Sequence, residues 1–166
     1  MSSDGDDEII GAIGRTVMRW QDATGEFDEA FGRLHGLSEA ERRCLGLIAF
    51  GPQTARAIAT ETGLTPASIT ALLDRLEARD LLSRKSDPND RRKVMVCATQ
   101  RMQTMAEEAY GPIHHAGVAL LKGYSAAERD VILKFVTDAL ELQSRITSEF
   151  VAGHQRKSQA AKTIEP

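Results

Sequence analysis

From Ile10 onward the apolar residues Ile10, Ile13, Val17, Trp20, Phe27, Phe31 and Leu34 recur at steps of three and four, with Thr24 as a polar filler. That spacing predicts one long amphipathic helix. Gly11, Gly14, Gly25 and Gly32 each weaken an isolated helix by about 1 kcal/mol relative to Ala, so this helix must draw its stability from packing. Ser38-Glu39-Ala40-Glu41 is a capping box, which starts a second helix at about Glu39. Its apolar stripe is Cys44, Leu45, Leu47 and Ile48, and it ends near Phe50 because Pro52 restricts Gly51 and donates no hydrogen bond. Thr54 caps a short third helix carrying Ala55, Ile58 and Ala59, closed by Gly63. Thr65 as N-cap and Pro66 at the first helical position restart the chain as a fourth helix. Ile69, Leu72, Leu73 and Leu76 form its buried stripe, leaving Ala67, Thr70, Ala71, Asp74 and Arg75 on or beside the opposite face. It stops near Arg79, and Asp80 falls where a left-handed residue is wanted.

The period then changes. Residues 81–85 and 93–97 are short strand candidates around Ser86-Asp87-Pro88-Asn89-Asp90-Arg91-Arg92, whose Pro and Asx residues make a turn, so the unit is a hairpin with a charged tip. A helix follows from about Gln100, with Met102, Met105, Ala109, Ile113, Ala116 and Leu120 inward and a bend expected at Gly111-Pro112. Ser125-Ala126-Ala127-Glu128 is a second capping box, opening a last helix with Ile132, Phe135, Val136, Ala139, Leu140, Ile146 and Phe150 on one stripe. Beyond Gly153 the pattern is polar and aperiodic, which predicts a frayed tail. The fold class is therefore mainly α with a small β-hairpin, and 166 residues suffice for one domain.

Charge sharpens this picture by its distribution rather than its total. The net charge is −3, from 24 acids against 21 Lys plus Arg, so no overall field attracts nucleic acid or membrane. Residues 82–101, however, hold six bases (Arg84, Lys85, Arg91, Arg92, Lys93, Arg101) against Asp87 and Asp90, which marks an anion-binding surface. No apolar run is long enough to span a bilayer, and the acidic opening lacks the bases of a signal peptide, so a cytoplasmic location is expected. Cys44 and Cys97 make no disulfide framework and no C-x-x-C pair, and both read as reduced core residues.

Two short helices joined through a Gly-containing turn, the second small and polar on its outer face, describe a helix-turn-helix whose second helix enters the DNA major groove. Ala67, Thr70 and Ala71 let the backbone approach base edges, where a hydroxyl can hydrogen-bond and a methyl can touch thymine. The free amides at the helix start favour a phosphate near Thr65, Ala67 and Ser68. Arg75 is long enough for phosphate or guanine. The hairpin would be a wing, with Arg84, Arg91, Arg92 and Lys93 as its DNA-contacting cations and an arginine at the tip suited to a narrow minor groove. Asp87 and Asp90 fit an internal task, bridging turn amides or aiming a guanidinium.

The stretch Leu64-Thr65-Pro66-Ala67-Ser68-Ile69-Thr70 through Leu76-Glu77-Ala78-Arg79-Asp80-Leu81-Leu82, followed by Arg84 and Asp87-Pro88-Asn89-Asp90-Arg91-Arg92, resembles the multiple-antibiotic-resistance-regulator (MarR) family of bacterial transcription factors. The resemblance implies a winged helix-turn-helix homodimer, paired through its first and last helices, that binds double-stranded DNA at a pseudopalindromic operator and usually represses. It divides the chain into a disordered tail (1–7), an N-terminal dimerisation helix (8–36), the DNA-binding region (37–99), C-terminal dimerisation helices (100–152) and a flexible tail (153–166). It matches Arg92 to the arginine entering the minor groove and Asp90 to the acid that orients it. The chain departs from the family at Asp80, where Gly is usual, and at Ala98, Thr99 and Met102, where the family has Leu-Thr followed by Gly three places after the Thr.

Family members often bind anionic aromatic effectors between the dimerisation and DNA-binding regions, which makes Trp20, Phe27, Phe31 and His35 a candidate pocket; the same residues equally suit the filling of a dimer core. No catalytic spacing, G-x-S-x-G or Gly-rich phosphate loop occurs, so neither an enzyme nor a cofactor is expected. A metal is not expected either, since His35, His114, His115 and His154 would have to be gathered by the fold, and adjacent His114 and His115 diverge by about 100° on a helix. Two competing functions remain: a winged-helix protein-docking module without DNA binding, and a thiol-based redox regulator using Cys44.

Overall fold

The computed structural model describes residues 3–87, 90 and 93–164, with side chains over 5–87, 90 and 93–154. The elements run α1 (Ser3–Leu34), α2 (Glu39–Ala49), β1 (Gln53–Thr54), α3 (Ala55–Thr62), α4 (Pro66–Ala78), β2 (Leu82–Ser86), β3 (Val94–Ala98), α5 (Gln100–Lys122) and α6 (Ala126–Ile164). The chain divides into two compact units, residues 1–112 and 113–166.

In the first unit one apolar cluster gathers Cys44, Leu45 and Ile48 of α2, Ile58 of α3, Ile69, Leu72, Leu73 and Leu76 of α4, Leu81, Leu82, Val96 and Met102. Burying a Leu or Ile side chain stabilises by about 1.5–3 kcal/mol, so this cluster holds α4 in place. The three strands form an antiparallel sheet in the order β1-β3-β2. Arg84 pairs with Val96 and Ser86 with Val94 along the hairpin, while Gln53 pairs with Val96 on the other edge of β3.

The caps explain the boundaries. Ser38 Oγ accepts the Glu41 amide while Glu41 Oε2 accepts the Ser38 amide at 2.9 Å, closing the expected box. Gly63 ends α3 at φ 69, a left-handed conformation that costs glycine nothing. Asp80 adopts φ 57, as its position required. Its amide donates to the Glu77 carbonyl and the Leu81 amide to the Leu76 carbonyl, which is the Schellman closure of α4. Thr99 then joins two elements: its hydroxyl donates to the Asp80 carbonyl at 2.6 Å and accepts the Met102 amide, capping α5.

Two expectations change, and one strand is added. α1 begins at Ser3, so the segment assigned to a disordered 1–7 tail is helical over its described residues; the helix extends beyond its apolar stripe, which starts only at Ile10. α6 continues to Ile164 instead of fraying after Gly153, because Gln, Arg, Lys and Ala favour helix and no Pro intervenes. α5 continues through Pro112 as one helix, so the bend expected at Gly111-Pro112 does not end it. β1 was not foreseen, since two residues become a strand only through their partner β3.

Candidate nucleic-acid interface

The outward face of α4 is built by its own periodicity. Ile69, Leu72, Leu73 and Leu76 are buried, and Thr65, Ala67, Ser68, Thr70, Ala71, Asp74 and Arg75 are all exposed. Thr65 Oγ1 accepts the Ser68 amide and donates to Ser68 Oγ at 2.9 Å, so both hydroxyls are held at the helix start. Thr70 Oγ1 donates to the Pro66 carbonyl at 3.0 Å. With its proton directed into the helix, this hydroxyl is left as an acceptor beside an outward methyl.

The cations split into two groups. Arg75 Nε donates to Glu41 Oε1 at 3.2 Å, yet 58% of the Arg75 side chain stays exposed. Arg84 is engaged differently: one end donates to Asp74 Oδ1 at 2.7 Å, the other forms a short contact with Glu77, and its own amide donates to Glu77 Oε1. Arg84, expected as a DNA contact, fastens β2 to α4 and pairs with two carboxylates beside the outward face of α4. Lys93 is exposed at the wing, with Asp90 Oδ2 3.9 Å from its Nζ. Asp87 Oδ1 accepts the Asp90 amide, the Asp87 amide donates to the Lys93 carbonyl and the Lys93 amide to the Asp90 carbonyl. Asp87 thus shapes the turn as its Asx chemistry suggested. Arg91 and Arg92, the expected tip contacts, lie outside the described residues.

Two further braces were not anticipated. Arg79, at the end of α4, donates to the carbonyls of His35 (2.6 Å) and Gly36 (3.1 Å), placing a cation on the negative C-terminal end of α1. Asp28 of α1 accepts from Arg42 of α2 and from the Tyr110 hydroxyl of α5, each at 2.8 Å. Burial and the Asp28 carboxylate push the Tyr110 phenol up to about 12. No short-range motif marks either brace.

A sequence model of the MarR family matches residues 35–93, which spans the helix-turn-helix and the start of the wing. The HTH-type transcriptional regulator YcgE of Bacillus subtilis is 30% identical over 117 residues, 70% of this chain and 76% of that protein. The chain belongs to the MarR family. The transcriptional repressor YetL of Bacillus subtilis is 32% identical over 111 residues, 64% of this chain and 65% of YetL. The transcriptional regulator Tm0710 of Thermotoga maritima, 21% identical, superposes with a TM-score of 0.57 over 83% of this chain and 98% of its own, and shares the fold. The protein is a MarR-family winged-helix, DNA-binding transcriptional regulator; its relatives are regulators rather than enzymes.

The aromatic residues singled out on α1 are only partly brought together. Phe31 stacks obliquely on His35 (centroids 4.6 Å) and Tyr110 (5.3 Å), and Phe27 meets Tyr110 edge-on at 5.2 Å. Trp20 does not join them and is 64% exposed. His35 lines a recess of about 410 Å³ with Arg101, Thr104, Met105 and Glu108. Cys44 is fully buried, and burial together with the nearby Glu41 carboxylate pushes its thiol up to about 12, which withholds the reactive thiolate. Among the described residues, no cluster of His, Cys, Asp and Glu is placed to hold a metal ion, and no helix is long and apolar enough to cross a membrane.

Proposed function

We propose that this chain is a homodimeric repressor that lays the α4 helices of two copies into successive major grooves of a pseudopalindromic operator, with the β2–β3 wings alongside, and is released by a small aromatic or anionic effector. One observation carries the reading. Ala67, Ser68, Thr70 and Ala71 all face outward from a helix whose other face supplies four core side chains, so a small, rigid surface stands ready for base edges. Thr65 and Ser68 at the helix start and the exposed Arg75 and Lys93 are the phosphate contacts, and Arg92, with Asp90 to aim it, is the minor-groove contact. YetL, a named repressor, supports the direction of the output. The recess beside His35 has the size for a small molecule, with Arg101 to meet an anionic group and Glu108 to meet a donor. An effector acts by binding better to a spacing of the two reading helices that does not fit DNA.

The test is selection of bound duplexes from a random-sequence pool, followed by salt titration and footprinting. Neutralising Z phosphates gives a log–log slope of about −0.9Z, and half-sites are expected about 10 bp apart. Thr70→Val keeps the shape and removes the hydroxyl, so it is expected to shift base preference at one position while leaving the slope unchanged. Absence of duplex binding at low salt would overturn the reading in favour of a protein-docking module.

A further inference from the structure

Glu41 is an acid in the body of the DNA-binding unit whose environment is unlike that of the other carboxylates beside α4. Its side chain is 9% exposed. One oxygen, Oε2, accepts the Ser38 amide at 2.9 Å and the Ser38 hydroxyl at 3.0 Å. The other, Oε1, accepts from Arg75 Nε at 3.2 Å, across 34 residues of sequence. The capping box therefore fixes the carboxylate, and the carboxylate in turn fixes the guanidinium. An arginine held through Nε has its terminal Nη edge left as the forked donor pair that suits two oxygens of a phosphate. Arg75 lies in the last turn of α4, whereas bases are read from the N-terminal part of such a helix. Backbone is the natural target.

We propose that Glu41 is a positioning residue for DNA binding: it holds Arg75 side-on so that the outer edge of the guanidinium meets an operator phosphate. Nothing in this role has Glu41 touching DNA. The inference rests on the proposed use of α4, and its electrostatics make it separable from a bland alternative. A carboxylate near a polyanion repels it, so if Glu41 only contributed charge, neutralising it would tighten binding. If Glu41 aims Arg75, neutralising it weakens binding.

Glu41→Gln distinguishes these, because Gln also completes a capping box. With its carbonyl on Ser38, the Gln amide turns a donor toward Arg75 Nε, another donor. The tightest duplex recovered from a random pool serves as the probe, with full-length wild type, E41Q, R75A and the double variant titrated at several salt concentrations. R75A is expected to lower affinity by about tenfold and to flatten the salt slope by about 0.9, the change when one phosphate is no longer neutralised. E41Q is expected to weaken binding severalfold when Arg75 is present and not at all when it is absent. Ser38→Ala, which removes the cap hydroxyl but keeps the residue-38 amide on Oε2 and the ion pair, is expected to lower the melting temperature and to cost less of the Arg75-dependent affinity than E41Q. Unchanged or tighter binding by E41Q overturns the proposal, as does an equal loss in both backgrounds, which would assign the effect to the cap. Wild type that binds no duplex overturns the DNA-binding reading itself.

Discussion

At the scale of single residues, the charges around α4 are organised so that acids do not face DNA uncompensated. Asp74 and Glu77 lie on the helix proposed to enter the groove, and Arg84 reaches back from β2 to both. Arg84→Ala leaves two carboxylates beside the polyanion and is expected to lower duplex affinity by about tenfold or more. The triple variant Asp74→Asn, Glu77→Gln, Arg84→Ala removes the repulsion along with the brace and is expected to recover most of that affinity. A phosphate-contacting Arg84 would show no recovery, so the two roles separate in one binding series. Glu41 carries a pH signature as well. Burial alone would raise its carboxyl, but the Ser38 amide and hydroxyl and the Arg75 guanidinium prevail and hold it below the ordinary carboxylate range. A carboxyl depressed in the folded state contributes stability that is full above the unfolded value of about 4.3 and is lost as pH falls through the folded value. Urea unfolding at neutral pH and near pH 3 is expected to show a larger acid loss for wild type than for Glu41→Gln. Parallel losses would dismiss the depressed carboxyl.

Elements show why some features are legible in sequence and others are not. The caps at Ser38, Thr54 and Thr65 each satisfy an amide three residues away, so a local motif announces them. The buried stripe of α4 and its outward small face follow from one period, and that period singles out the proposed reading surface. β1 and the Arg79 and Glu41 braces depend on partners distant in sequence, 44 residues away for Arg79 and His35, and no spacing rule reaches that far. The end of α6 escaped because Gly153 and the polar residues after it read as a stop, whereas the helix passes through Gly153 and no Pro within it enforces an end. Asp80 shows local chemistry under strain. At φ 57 it closes α4 in a conformation that favours glycine, and its carbonyl, which glycine would keep, accepts from Thr99. Asp80→Gly is therefore expected to stabilise the domain, by about 0.5 kcal/mol after the greater chain entropy of unfolded glycine is counted. Equilibrium denaturation measures this, and a destabilised variant would mean that the Asp side chain contributes more than its backbone strain costs.

For the whole molecule, the decisive quantity is apolar surface without a cover. On α1, Ile9, Ile10, Ile13 and Trp20 are exposed, and on α6 so are Val131, Phe135, Val136, Leu140, Ile146 and Phe150. Soluble monomers rarely leave contiguous apolar patches beyond a few hundred Å². These helices are the surface assigned to a second copy in the proposed dimer, where each α4 would read one half-site. When two reading helices are joined, the second engagement becomes intramolecular, and linked sites gain about 10² to 10⁴ in affinity over a single one. Phe135→Asp and Leu140→Asp place charges on the proposed interface, far in sequence from every residue assigned to DNA. Sedimentation is expected to show a dimer for wild type at micromolar concentration and a monomer for the double variant. Duplex affinity is expected to fall by at least a hundredfold while the salt slope drops toward half, since each monomer retains its own phosphate contacts. A charged variant that becomes monomeric yet keeps wild-type affinity and slope would show that one copy suffices, and α1 and α6 would then need a different partner to explain their exposed stripes.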